Sequence, residues 1–181
     1  MSDFYGSANK GLAPLILTAG LQTQAQDYFD RLRKAYFPPA RNMIPAHLTL
    51  FHALPGAQQA EIEEELAERC WQAEPFEAHA SGLRFTGNGV AVVVEAPALV
   101  ALHTGIAVSW REVLIPQDRQ RFNPHVTVQN KVTPAHARQT FDALQAVFEP
   151  FHFEIEGLDL WHYRGGPWEA AGRFPFGGVP E

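Results

Sequence analysis

Two ten-residue stretches, FEAHASGLRF from Phe76 and FHFEIEGLDL from Phe151, start 75 residues apart and share Phe, Gly and Leu at matching offsets. Each follows a helix-like segment, and each of those segments follows a short apolar stretch carrying His-x-Thr. A chain built this way reads as one unit written twice: strand, helix, His-bearing strand, helix, strand. The first unit spans about 13–85 and the second about 90–163, with a closing hairpin strand over 168–176.

The local signals agree with that order. Ala13 to Ala19 is an apolar run of strand length, and Gln22 to Phe37 carries Tyr28, Leu32 and Ala35 near helical spacing before Pro38-Pro39 ends it. His47 to Leu54 reads as a strand broken by Pro55-Gly56. Ala57 to Ala73 reads as a helix, with Ile62, Leu66 and Cys70 on one side and carboxylates on the other. Phe76–Phe85 and Val90–Glu95 flank the turn Thr86-Gly87-Asn88-Gly89. Pro97 opens a helix to about Leu114, His125 to Gln129 is a strand, and Thr133-Pro134 caps a helix to about Phe148. Phe151–Tyr163 and Trp168–Phe176 close as an antiparallel pair around Gly165-Gly166-Pro167. The expected architecture is α+β and bilobal: a pseudo-two-fold duplicated fold in which two antiparallel sheets line a central cleft, with helices outside. Residues 1–181 then form a single domain of two interleaved lobes.

Composition bounds the function. The 181 residues are 46% hydrophobic and 19% charged, which suits a packed domain. A net charge of −6 argues against a broad basic surface that tracks long nucleic acid. A single cysteine, Cys70, excludes an intrachain disulfide and a cysteine-based zinc cluster. The opening MSDFYGSANKG has no cationic stretch leading into an apolar one, and no apolar run approaches membrane-spanning length. A cytoplasmic monomer with no membrane association, no obligate protein partner and no cofactor is the expectation.

The chemistry rests on His47-Leu48-Thr49-Leu50 and His125-Val126-Thr127-Val128. In a strand, positions i and i+2 share a face. Each segment therefore offers an imidazole and a hydroxyl on one side and an apolar pair on the other. If the two units pack about a pseudo-two-fold axis, both polar strips line one cleft. One neutral and one protonated imidazole on opposite sides of a phosphorus suit in-line displacement, one taking a proton and the other giving one. The threonine hydroxyls then bond the non-bridging oxygens where charge builds. Residue types leave base and acid nearly symmetric, with a lean to His47 as acid and His125 as base. No metal motif is encoded.

These motifs, with their local forms IPAHLTLFHALPG and RFNPHVTVQN, resemble the 2H phosphoesterase superfamily, the 2′-5′ RNA ligase-like and cyclic phosphodiesterase proteins. The resemblance covers nearly the whole chain. It implies metal-independent hydrolysis of a 2′,3′-cyclic phosphate or a 2′-5′ linkage in a small nucleotide or RNA end, with reversible ligation as a further activity. It also implies catalytic roles for His47, Thr49, His125 and Thr127. Some members carry an Arg two residues after the second motif's Thr; here that place is Gln129, so another cation such as Arg41, Lys131 or Arg164 has to hold phosphate.

For substrate recognition, Phe51 and Gln129 continue the cleft-facing rows by parity, and Phe51 is a candidate stacking platform. Arg41 and Phe122, with Tyr36, lie in loops feeding the motifs. Tyr163, Arg164 and Trp168 bracket the last hairpin. By the same parity His52 faces away from His47 and is structural. Two rivals have different consequences: a non-catalytic RNA- or nucleotide-binding module, and the same chemistry on a non-RNA phosphodiester.

Overall fold

Seven consecutive buried residues, Leu15–Leu21, make β1 a strand with both faces covered. The computed structural model describes residues 12–178, and the opening MSDFYGSANKG lies outside them. The remaining elements are α1 Thr23–Tyr36, β2 Thr49–Leu54, α2 Gln59–Gln72, β3 Phe76–Phe85, β4 Val90–Glu95 and α3 Pro97–Trp110. β5 His125–Gln129, α4 Pro134–Gln145, β6 Phe151–His162 and β7 Glu169–Pro175 complete the chain. Their ends follow local chemistry. α1 stops just before Pro38-Pro39, and the Thr133 hydroxyl accepts the His136 N–H at 3.3 Å to cap α4. Gly87 takes φ +90° in the β3–β4 turn. Any side chain at Gly89 would collide with the backbone of Gln129.

The strands form one antiparallel sheet, where two were expected. Its order is β2-β1-β6-β3-β4-β5, with β7 also on β6. The reason is the length of β6, which has 12 residues. Its first half, Phe151–Ile155, pairs with β3, and its second half, Gly157–His162, pairs with β7. Residues Ile155–His162 also pair with β1, so a single strand ties the two halves together. Exchanging β1 with β4, β2 with β5 and β3 with β6 simply reverses this order.

β2, which begins two residues after His47 where a strand starting at His47 was expected, and β5, which begins at His125, are thus the two ends of the sheet among the described residues. The helices cross between the halves: α1 packs against β5, α4 against β3 and β4, and α2 against β6 and β7. Beneath α1, Phe29 meets Phe151 and Phe153 at 5.8 Å each. No helix among the described residues is long and apolar enough to cross a membrane.

Candidate active site

His47, Thr49, His125 and Thr127 line one cavity of about 150 Å³, together with Ile16, His52 and Trp168. Strands at opposite ends of a sheet can share so small a space only if the sheet curls until its edges face each other. Side chains from elsewhere hold those edges. Asp30 of α1 accepts the Ala46 N–H at 2.6 Å, and Gln26 donates to the Ala46 carbonyl at 2.8 Å, fixing the residue before His47. From the same helix the buried Arg33 donates to the Thr127 carbonyl at 3.0 Å and to Asn42 at 3.1 Å, which anchors the opposite edge.

Both motif rings are oriented alike. His47 Nδ1 lies 2.8 Å from the Pro45 carbonyl, and His125 Nδ1 lies 2.8 Å from the Asn123 carbonyl. A carbonyl only accepts, so each Nδ1 carries the proton and each neutral ring has a free lone pair on Nε2. Each imidazole is thereby set up to take or give a proton at Nε2. The half-buried His47 is pushed down to about 4, chiefly by desolvation, with the nearby Arg33, His52 and His125 charges adding to the effect. Burial also lowers His125, helped by Arg84 and His52. Lowered from the ordinary imidazole value, both rings are neutral at pH 7.

The strand register overturns the expectation that Phe51 and Gln129 face the cleft. In the β1–β2 ladder Thr18 pairs with Thr49 but Leu17 pairs with Phe51, so one extra residue of β2, Leu50, bulges. The β4–β5 ladder repeats the device: Ala91 pairs with Thr127 and Val90 with Gln129, leaving Val128 as the extra residue. Each bulge reverses the alternation just after its motif threonine. Phe51 and Gln129 therefore turn inward, both 0% exposed. Phe51 stacks on His103 at 4.5 Å and meets the Trp110 edge at 5.7 Å. Gln129 donates to the Thr140 hydroxyl of α4 at 2.8 Å. Neither faces the cavity.

The bulge that buries Phe51 brings His52 outward, so the parity reading of His52 is also overturned. Its Nδ1 lies 2.8 Å from Asp118 Oδ1, from a loop 66 residues further along the chain. The other candidates sit elsewhere. Tyr163 and Arg164 line a separate cavity of about 480 Å³, and Arg164 faces Glu169 at 3.5 Å. Arg41 is exposed in a 3₁₀ turn, Pro39–Arg41. Phe122 borders a cavity of about 250 Å³ that shares Thr49, His52 and His125 with the first and adds Arg84 and Arg121. Trp168 stands beside His47, ring centres 4.6 Å apart. Sequence reasoning missed Arg33, His52 and Asp118 as site residues; the HLTLFH run put His52 in view, and only the strand register reveals its side.

The fold has relatives of known structure. The family model described as the 2′-5′ RNA ligase superfamily matches residues 21–167. No curated protein matches the chain significantly. Among solved structures, TT0787 of Thermus thermophilus is similar at 17% identity and a TM-score of 0.68, covering 91% of this chain and 98% of its own. E. coli LigT, solved with 3′-AMP, is similar at 18% identity and a TM-score of 0.58, covering 91% and 98%. LigT solved with NADP+ is similar at 16% identity and a TM-score of 0.55, covering 92% and 99%. With most of its length matched by that family model, the chain belongs to the 2′-5′ RNA ligase superfamily, the 2H phosphoesterases.

Proposed function

We propose that this protein is a metal-independent phosphodiesterase of the 2H type. Its substrate is a small RNA-derived nucleotide bearing a 2′,3′-cyclic phosphate or a 2′-5′ linkage. The observation that carries the reading is the pair of Nδ1-anchored imidazoles on one cavity, each with Nε2 left for proton transfer. Among the described residues no group of three or more His, Cys, Asp or Glu side chains is arranged to hold a metal ion. Both proton transfers fall to the histidines. Solved complexes of LigT with 3′-AMP and NADP+ support a small-nucleotide substrate.

His47 is the base in this mechanism, because burial keeps it neutral down to about 4. That assignment reverses the one favoured by residue types alone. Its Nε2 takes a proton from the attacking water as the water oxygen bonds to phosphorus. The bond from phosphorus to the departing ribose oxygen breaks, and His125 Nε2 delivers the proton that oxygen needs. The anionic substrate favours a protonated His125, since a nearby negative charge stabilises imidazolium. The Thr49 and Thr127 hydroxyls donate to the non-bridging oxygens. With the 5′-hydroxyl of a second nucleotide in place of water, the same transfers form its bond to the phosphorus of a 2′,3′-cyclic phosphate, break the P–O3′ bond with the proton going to O3′, and leave a 2′-5′ linkage. The nucleoside extends toward Phe122, Arg84 and Arg121 in the adjoining cavity. The palindromic strand order supports an internal duplication as the origin of the paired motifs.

The test is hydrolysis of nucleoside 2′,3′-cyclic phosphates and 2′-5′ dinucleotides in EDTA. Each of His47→Ala and His125→Ala is expected to lose about 10²- to 10⁴-fold in kcat. Nucleotide binding without turnover points instead to a non-catalytic module. Turnover confined to other members of a phosphodiester panel moves the substrate outside RNA.

A further inference from the structure

With Gln129 buried, phosphate has to find its positive charge elsewhere. Arg41 and Arg164 do not line the cavity of the two motif histidines. Lys131, in a left-handed turn at φ 64°, does not line it either. Apart from the two proton-transfer rings, the cavity-lining residue able to carry positive charge is His52. Its surroundings are built rather than incidental. The Asp118 side chain is 1% exposed, and its carboxylate accepts the His52 N–H at 2.9 Å, the Ala53 N–H at 3.1 Å and His52 Nδ1 at 2.8 Å. The backbone bonds hold the carboxylate against β2, the end strand of the sheet among the described residues, just past the Leu50 bulge.

We propose that His52, oriented by Asp118, is a third imidazole of the site and binds a non-bridging phosphoryl oxygen through Nε2–H. A carboxylate only accepts, so Nδ1 carries a proton and Nε2 is the atom left to meet the substrate. With Nδ1–H given to Asp118, a phosphoryl oxygen on the cavity side is met by Nε2–H, so the proposed contact uses both ring nitrogens as donors. Asp118 is the positioning residue: it fixes the ring's rotation and balances its charge, as a buried carboxylate does for a catalytic histidine. The proximity is felt at both motif rings, where the charge of His52 disfavours protonation of His47 and of His125. His52 thus holds the phosphoryl group while the other two rings move protons.

The inference rests on the phosphodiester chemistry proposed above, so its experiment has one arm that needs no turnover. Nitrogen-detected NMR of the histidine rings is recorded during titration of the wild-type chain with inorganic phosphate. His52 Nε2 is expected to shift as a proton donor, with Nδ1 still protonated, and Asp118→Asn to abolish that shift. In the kinetic arm His52→Gln is expected to lower kcat/KM about 10- to 100-fold, as loss of a charge-assisted hydrogen bond does, mostly through KM. A silent His52 in the titration overturns the proposal, whatever His47 and His125 do. So does a His52→Gln enzyme within twofold of wild type. An inactive wild-type protein in which phosphate moves His52 sinks the phosphodiesterase reading and leaves the third anion-binding imidazole standing.

Discussion

Replacing Phe51 separates a cleft-facing aromatic from a core one, because the two placements predict opposite phenotypes. The ring is 0% exposed, stacked on His103 at 4.5 Å and edge-on to Trp110 at 5.7 Å. His103 in turn stacks on Phe122 at 4.1 Å, so Phe51 ends a three-ring pile that joins β2 to α3 and the loop before β5. Truncating a buried Phe to Ala costs about 3–5 kcal/mol, and the stacked contact puts this site in the middle of that range or above. For a chain of this size, about 4 kcal/mol lowers Tm by roughly 8–16 °C. The volume-retaining Phe51→Leu costs about 1 kcal/mol and should fold well enough for kinetics. Thermal unfolding by circular dichroism, paired with KM for a cyclic nucleotide, reads both variants. The expected outcome is a large Tm loss for Phe51→Ala with KM of Phe51→Leu within twofold of wild type. A Tm change under about 2 °C with a sharply raised KM would refute the bulge and restore Phe51 as a base platform.

Other outcomes follow from the same geometry. His47 titrates near 4 in the folded chain against an ordinary 6.5, so the unfolded chain takes up the proton first as pH falls. Its contribution to stability is complete above 6.5 and is lost between 6.5 and 4, by up to about 3 kcal/mol. Urea unfolding at several pH values should show that slope, and His47→Gln should flatten it. Arg33→Met removes the bonds to the Thr127 carbonyl and Asn42 and a charge that holds His47 low. It should reduce kcat about tenfold and move the acid limb of the kcat/KM profile to higher pH. Thr49→Val and Thr127→Val should each lower kcat/KM by about 10- to 100-fold, read by the cyclic-nucleotide assay.

Much of the scaffold was legible because its signals are local. Proline pairs, apolar periodicity and the Thr133-Pro134 cap set element types, and β3, β4 and β5 begin and end where their residue patterns indicate. The placement of His125 was legible for the same reason, since a period of two needs only the strand itself, whereas His47 lies two residues ahead of β2, next to Ala46, which Asp30 and Gln26 hold. What failed was parity beyond the motifs. A bulge is a property of pairing with β1 or β4, and neither Leu50 nor Val128 carries a mark of it. One slip buried Phe51, another buried Gln129, and the first turned His52 to the cavity. Asp118 was out of reach for a related reason: it arrives from a loop 66 residues away, with no spacing rule linking the two. The single sheet was hidden likewise, since the length of β6 is readable but its choice of three partners is not.

Everything in the proposed chemistry turns on two rings from the far ends of one curled sheet meeting at a single phosphorus. A crystal structure of the protein with bound 3′-AMP near neutral pH tests it most directly. The expected density is a phosphate in the cavity lined by His47 and His125, with oxygens about 2.7–2.9 Å from Nε2 of both rings. A phosphate held beside Tyr163 and Arg164, or touching only one of the two rings, contradicts it.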